Sequence, residues 1–217
     1  LFLGDDISEK YHADWSGASA CAPAALLKPK TTEQLSQIMA LCYEQNQPVV
    51  VQGGLTGLAG GATPLSGEFA ISLERMNAVE EIDARGMTAT VLAGTPLQVL
   101  QEAAEEHDLF MPLDLGARGS CNIGGNVATN AGGTEVIRYG MTRSLVLGLE
   151  VVLQQHFAQV TINSQFSGAT VLGAVGDLDS RLIAHIGSLG VCSGVCSRVP
   201  SELMSGWSHS WMRPRRR

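Results

Sequence analysis

Lysine is missing from this 217-residue chain after Lys30, which removes lysine nucleophiles and Schiff-base chemistry from most of its length. Nowhere do eighteen apolar residues follow one another without glycine or charge, so no segment reads as membrane-spanning. The cysteines, Cys21, Cys42, Cys121, Cys192 and Cys196, are odd in number and contain no C-x-x-C pair. A disulfide framework and a zinc site are therefore disfavoured, and a cytoplasmic, reducing location is expected. His156, His185 and His209 lack metal-ligand spacing, and no metal is expected. The first residue is Leu1 rather than methionine, and no basic segment leads into an apolar one; this predicts no signal peptide and a fragment whose N-terminus is missing.

What is present is enough for a packed core, with 45% hydrophobic residues. The net charge of −7 is unevenly spread: residues 1–153 hold 8 basic and 18 acidic side chains, and residues 154–217 hold 6 basic and 3 acidic. So acidic a body has no electrostatic footprint for nucleic acid, and Arg213-Pro-Arg-Arg-Arg217 reads as a solvated tail.

Local signals are consistent up to Leu153. Residues 24–28 read as a strand, and Thr31 with Gln34 opens a helix whose apolar positions Leu35, Ile38, Met39 and Cys42 keep helical spacing through Asn46. The run Val49-Val50-Val51 is a strand, completing a β-α-β unit of about thirty residues. Further strands are expected at Phe69–Arg75, Ala78–Asp83, Thr88–Ala93 and Leu147–Leu153. Thr95-Pro96-Leu97-Gln98 predicts a capped helix start running to about His107, with Leu97, Leu100, Ala104 and Val99 inward and His107 at the surface. Ala169–Val175 is compatible with a strand, and Arg181–Ile186 with a strand or helical turn. Cys42 and Cys121 are expected as packing residues.

Two glycine-rich segments stand out. The first, Gln52-Gly-Gly-Leu-Thr-Gly-Leu-Ala-Gly-Gly-Ala-Thr-Pro64, follows a buried strand directly. A turn of this kind presents consecutive backbone N–H groups and makes an anion cradle without lysine, as a diphosphate would need. Neither G-x-x-x-x-G-K-[ST] nor G-x-G-x-x-G is present, which disfavours ATP and NAD. The second segment, Pro112–Gly133, carries six glycines among amide and hydroxyl side chains. One such loop is more often a plain turn; two in one chain favour a ligand with phosphates and a flat ring.

With Tyr11-His-Ala-Asp14-Trp15, the two glycine segments, Arg138-Tyr-Gly140 and Leu147-Gly-Leu-Glu-Val-Val-Leu153 together, residues 11–153 resemble the flavin-binding half of the FAD-linked oxidases of the vanillyl-alcohol oxidase superfamily, PCMH-type. The likeness is greatest to the D-2-hydroxyacid branch, which includes D-2-hydroxyglutarate and D-lactate dehydrogenases and the FAD subunit of glycolate oxidase. The resemblance implies an α+β, two-lobed FAD-binding domain, with a small β-α-β lobe followed by a mostly antiparallel one, truncated in this chain.

It further implies FAD against Gly53, Gly54, Leu55, Thr56, Gly57, Leu58, Gly61 and Ala62 at the pyrophosphate. Pro112, Gly119, Ser120, Gly124, Gly125, Thr129, Asn130, Gly132 and Gly133 are implied along the ribityl chain and ring. Members often carry asparagine at the place of Leu55. No histidine lies in either loop, so the flavin is expected to be non-covalent. The implied reaction is hydride transfer from the α-carbon of a small D-2-hydroxy acid to flavin N5, in the full-length parent; the alternative is a flavin-binding fragment that catalyses nothing.

The resemblance names no electron acceptor, and no catalytic residue is assigned, because the substrate-holding cap domain lies beyond the matching region. Arg138 and Arg143 are expected in structural ion pairs. After Leu153 the family's acidic-glycine turn and Gly-Ser-Glu-Gly-Thr-Leu-Gly signature do not follow; only Ile186-Gly-Ser-Leu-Gly-Val191 echoes them. Residues 154–217 are therefore expected to be an aberrant or poorly structured tail, from a frameshift or misassembled sequence.

Overall fold

The computed structural model describes residues 1–152 and two short strands beyond them, Phe157–Val160 and Gly168–Thr170. Expectations for the other residues after 152, Arg181–Ile186 and most of Ala169–Val175 included, lie outside the described residues.

The chain first builds a small parallel sheet. Strands β1 (Ala25–Leu27), β2 (Val49–Gln52) and β3 (Phe69–Ser72) lie in the order β1-β3-β2, so the last strand to be reached becomes the central one. Leu26 and Val50 both stand opposite Ala70, which is fully buried. A parallel sheet needs cover on both faces. Helix α1 (Thr32–Glu44) supplies one, packing Met39 and Cys42 on Val49 and Ile71. The segment before β1 supplies the other, through Ile7 and Tyr11 on Leu26, Val50 and Ala70. The α1 start is as the sequence indicates: Thr31 Oγ1 accepts the Gln34 N–H at 3.3 Å, and Gln34 Oε1 accepts from Lys30 N–H at 2.8 Å.

The second lobe holds β4 (Val79–Asp83) and β5 (Thr88–Val91) as an antiparallel pair, with Gly168–Thr170 parallel on the far edge of β5. Helix α2 (Leu97–Glu105) buries Leu97 and Leu100 against Ala89, Val91, Met111, Leu113 and Cys121. Helices α3 (Ile123–Ala128) and α4 (Val136–Tyr139) follow, and then β6 (Leu149–Val152), paired with β7 (Phe157–Val160). Val152 reaches the α1 core, joining the lobes.

Three expectations are corrected. Thr95 does not cap α2: it is fully buried, accepts the Ala78 N–H at 3.1 Å and donates to the Ala78 carbonyl at 3.0 Å, so it bolts the helix entry to β4. Val99 faces solvent, 41% exposed, because the inward stripe is fully occupied by Leu97, Leu100 and Ala104. The second glycine segment is not all loop, since it contains α3.

Helices α1, α2 and α3 end alike. Asn46, Asp108 and Asn130 take φ of 51°, 57° and 51°, the left-handed region that asparagine and aspartate tolerate best among non-glycine residues. Behind each, two N–H groups fold back onto the last turn: Asn46 to Tyr43 and Gln47 to Cys42, Asp108 to Glu105 and Leu109 to Ala104, Asn130 to Val127 and Ala131 to Asn126. These are Schellman closures.

Candidate functional site

The two glycine segments meet. Gly53 lies against Asn122, whose Oδ1 is 3.1 Å from where a Cβ on Gly53 would stand. Gly54 is tighter still, since its Cβ would collide with the carbonyl of Ser120 and the Cα of Cys121. Only glycine permits that approach. Asn122 itself is buried and donates from Nδ2 to the Gly94 carbonyl at 2.8 Å, tying the turn after β5 to the start of α3. An apolar cleft between the lobes is lined by Val51 and Gly53 on one side and Ala93, Gly124, Gly125 and Val151 on the other. On its rim Glu150 has its carboxyl pushed up by burial, with Glu33 and Glu80 adding repulsion and a Thr32 hydrogen bond opposing.

Backbone hydrogen bonding separates the segments. From Gly53 to Gly61 none of the nine consecutive N–H groups donates to a protein acceptor among the described residues. Around α2 and α3, by contrast, the helix-start donors are already taken. Leu97 N–H donates to Cys121 at 3.0 Å and Gln98 N–H to Arg118 at 2.9 Å, while Ile123 N–H donates to Thr95 at 2.9 Å and Gly124 N–H to Ala93 at 2.8 Å. These occupied helix ends offer no anion site.

The expected site residues therefore fall into different environments. Thr56, Gly57, Leu58 and Gly61 belong to the open loop, with Leu58 78% exposed. Leu55 belongs to it as well, at φ 58°, a left-handed position where a leucine is strained and an asparagine or glycine is not. Its side chain compensates by packing on the Ile7–Tyr11 cluster. The Ala62 N–H is taken by Asp14 Oδ2 at 3.3 Å.

In the second segment, Ser120 and Thr129 hydroxyls donate to Ala117 and Gly125 carbonyls at 3.4 and 2.9 Å. Asn130 is the closing residue of α3, and its Oδ1 accepts Arg143 N–H at 2.9 Å. Gly133, at φ 73°, abuts the Asp114 carbonyl, and Gly132 touches Met141 and Val136. Gly119 approaches Gln98. Pro112 is buried and lines a separate hollow with Phe110 and Tyr139, whose rings lie 5.6 Å apart.

Four of these glycines have no explanation within the protein. Gly57, Gly61, Gly125 and Gly132 have no positive φ, and no neighbour stands nearer than 3.6 Å to the place of a Cβ. Gly125 even sits inside α3, where alanine is favoured by about 0.5–1 kcal/mol. Free donors and bare glycines along one loop, with a further bare glycine on the adjoining cleft, are what a phosphate-bearing cofactor pressed against backbone requires, so the residues fit such a group.

The expected ion pairs of Arg138 and Arg143 do not form among the described residues: Arg138 stacks 5.0 Å from the Tyr139 ring centre. Cys121 is buried beside Asn126, and burial pushes its thiol up. No group of three or more His, Cys, Asp or Glu able to hold a metal ion occurs among the described residues, and no described helix is long and apolar enough to cross a membrane. Sequence reading passed over Asp14, Gln52 and Asn122 as site residues. A signal was present for two of them, since Gln52 adjoins Gly53 and Asn122 stands two residues before Gly124, whereas Asp14 has no glycine beside it.

Comparison with known proteins agrees with this geometry. The chain is similar to the mitochondrial D-2-hydroxyglutarate dehydrogenase of Danio rerio, 43% identical over 204 residues that cover 91% of this chain and 37% of the relative. With the D-2-hydroxyglutarate dehydrogenase of Xanthomonas citri pv. viticola it shares 46% identity over 144 residues, 66% of this chain and 30% of that protein. The chain thus spans about a third of the length of these relatives. Nine per cent of 217 residues is about 20, so the Danio rerio match runs past Leu153 and contains Ile186–Val191.

In fold it is similar to 6-hydroxy-D-nicotine oxidase from Arthrobacter nicotinovorans, with a TM-score of 0.62 at 19% identity over 71% of this chain and 33% of that one. The architecture is that of a PCMH-type flavin-binding domain. Residues 23–155 match the family described as FAD binding domain, and the chain belongs to it.

Proposed function

We propose that this chain is the cofactor-holding part of a flavin-dependent oxidoreductase that oxidises a D-2-hydroxy acid. The observation that carries the cofactor assignment is the row of nine N–H groups from Gly53 to Gly61 without a protein partner among the described residues. Gly53, Gly54, Leu55, Thr56 and Gly60 are half-buried, where a backbone donor needs a partner, and a diphosphate accepts several at once. Gly53, Gly54, Leu55, Thr56, Gly57, Leu58 and Gly61 hold the diphosphate. Gly124 and Gly125 give the ring close access to backbone, with Gly119, Ser120, Thr129, Gly132 and Gly133 around it. Ala62, whose N–H Asp14 occupies, closes the loop instead of donating. Asn130 and Pro112 support the segment's shape.

Bound flavin supplies a two-electron acceptor, taking the α-hydrogen as hydride while the hydroxyl proton is lost and a 2-oxo acid remains. This chain's own share is binding and positioning. Attachment is non-covalent: neither loop has a histidine, and Cys121 is buried with its thiol pushed up, a poor nucleophile. D-2-hydroxyglutarate is the first substrate to try, on the names of the relatives. The three free cysteines among the described residues suit a reducing compartment, cytoplasm or mitochondrion.

Residues 1–153 form the flavin unit in this reading. Residues 154–217 are read as altered sequence, and an intact frame in the message would reject this.

The test is an absorbance spectrum from 300 to 550 nm after incubation with FAD and gel filtration. Retained bands near ~375 and ~450 nm are expected, and a colourless protein overturns the cofactor assignment. Acid precipitation should leave the flavin in the supernatant. Because the chain spans only about a third of its relatives, the second reading, flavin binding without turnover, is tested on the same sample. Bleaching by D-2-hydroxyglutarate, D-lactate or glycolate supports the oxidoreductase in this polypeptide, and its absence with all three supports the fragment.

A further inference from the structure

A loop that leaves nine consecutive N–H groups unpaired, and whose local backbone bonding among the described residues is the Thr63 N–H to Gly60 carbonyl contact at 3.2 Å, needs its shape imposed largely from outside. Two side chains outside the glycine run do this. Gln52, the last residue of β2, is completely buried, and its Nε2 donates to the Ala62 carbonyl at 2.9 Å and to the Tyr11 carbonyl at 2.9 Å. The residue at the loop's entry thereby holds its exit, ten positions on. Asp14, 8% exposed, grips the same exit from the other side: Oδ2 accepts the Ala62 N–H at 3.3 Å, and its own N–H donates to Thr63 Oγ1 at 3.1 Å. Oδ1 accepts the Ser16 N–H at 3.0 Å, which orients the carboxylate, and Trp15 N–H donates to the Leu55 carbonyl at 3.2 Å. Both backbone groups of Ala62 are thus fastened, one by each side chain.

We infer that Asp14 and Gln52 are positioning residues that clamp the exit of the 53–61 loop and hold its free N–H groups ready for the flavin diphosphate, an inference that rests on the cofactor reading above. Charge alone argues the reverse for Asp14. A carboxylate beside a diphosphate site repels the ligand, so removing it improves binding unless the clamp matters more. The clamp matters more here, because ordering a loop of ten residues is a larger demand than one screened repulsion.

The experiment uses the whole chain, with Asp14→Ala, Asp14→Asn and Gln52→Met, and two measurements. Hydrogen exchange without cofactor is expected to rise at least tenfold at the bonded N–H groups of Trp15, Ala62 and Thr63, which report the loop's shape, in Asp14→Ala and Gln52→Met, with α1 and β3 protected as in wild type. Titration with FAD, followed by flavin fluorescence, is expected to show at least tenfold weaker binding in both. Asp14→Asn keeps one acceptor oxygen for two N–H groups and should fall between wild type and alanine.

Unchanged exchange at Trp15, Ala62 and Thr63, exchange raised equally throughout the chain, or tighter FAD binding by Asp14→Asn overturns the clamp, whatever the flavin result. A wild-type chain that fails to bind FAD while the variants still loosen the loop overturns the cofactor reading and supports the clamp.

Discussion

Between Gly53 and Gly61 no backbone N–H has a protein partner among the described residues, whereas between Arg118 and Thr134 at least ten donate to backbone carbonyls. The two segments share a composition and differ in why they need it. In the first, glycine keeps the backbone bare for something that is not protein. In the second, half of the six glycines are closed in by protein: Gly119 approaches Gln98, Gly124 fits against Ala93 and Gly133 against Asp114, and the helix starts are closed by carbonyls from neighbouring turns. A glycine's role is thus read from what its missing Cβ would meet.

Substitution breaks this comparison most directly where the segments touch. Gly54→Ala forces a methyl into the Ser120 carbonyl, and the fold should lose about 3 kcal/mol. A drop of roughly 10 °C in the melting temperature would register it. Gly61→Ala meets nothing within 4 Å and has no left-handed φ. Its melting temperature should stay within about 2 °C, while FAD binding weakens about tenfold, roughly 1.4 kcal/mol. A Gly61→Ala chain that binds FAD as wild type would remove the loop from the site.

Acid separates the segments by another route. Glu74 accepts from Tyr11 at 2.8 Å, Lys28 at 2.8 Å and Lys10 at 3.2 Å. Burial opposes its ionisation, but these partners outweigh it and hold its carboxyl down at about 2. A depressed folded-state value contributes stability above the ordinary 4.5 and loses it as pH falls from there through about 2. With the side chain 36% exposed, the contribution is on the order of 1 kcal/mol. The segment it anchors carries Tyr11 and Asp14, so hydrogen exchange in this window should rise at the bonded N–H groups of Trp15, Ala62 and Thr63 before it rises around α3, whose backbone closures do not titrate. Glu74→Gln should abolish the difference.

The smallest effect is the most discriminating. Gly125→Ala should stabilise α3 by roughly 0.5–1 kcal/mol and yet weaken flavin binding. A variant that gains stability at no loss of affinity would return Gly125 to the fold and leave only the first loop facing the cofactor.

Sequence alone carried the strands, α1, α2 and the pairing of two glycine segments, because periodicity, β-branching and caps are local signals. It misassigned Thr95, since a cap and a buried bolt use the same hydroxyl and only the neighbouring Ala78 decides between them. It did not show that Asn130 closes a helix, for a short helix of Ile-Gly-Gly-Asn-Val-Ala has no helical propensity to announce it. Asp14 and Gln52 were visible as letters, but their meeting at Ala62 spans 48 and 10 positions and exists only after folding.

The order β1-β3-β2 has a consequence for biosynthesis. As the nascent chain emerges, β1 and β2 have no strand to pair with until Phe69–Ser72 has left the ribosome, for within the sheet each pairs with the latecomer between them, and β1 has besides it the single bridge of Leu26 to Phe2. The first lobe therefore closes in a single late event rather than strand by strand. The glycine loop, being the tether between β2 and its partner, acquires its shape in that same event, so a cofactor has no partly built cradle to bind before the lobe is complete.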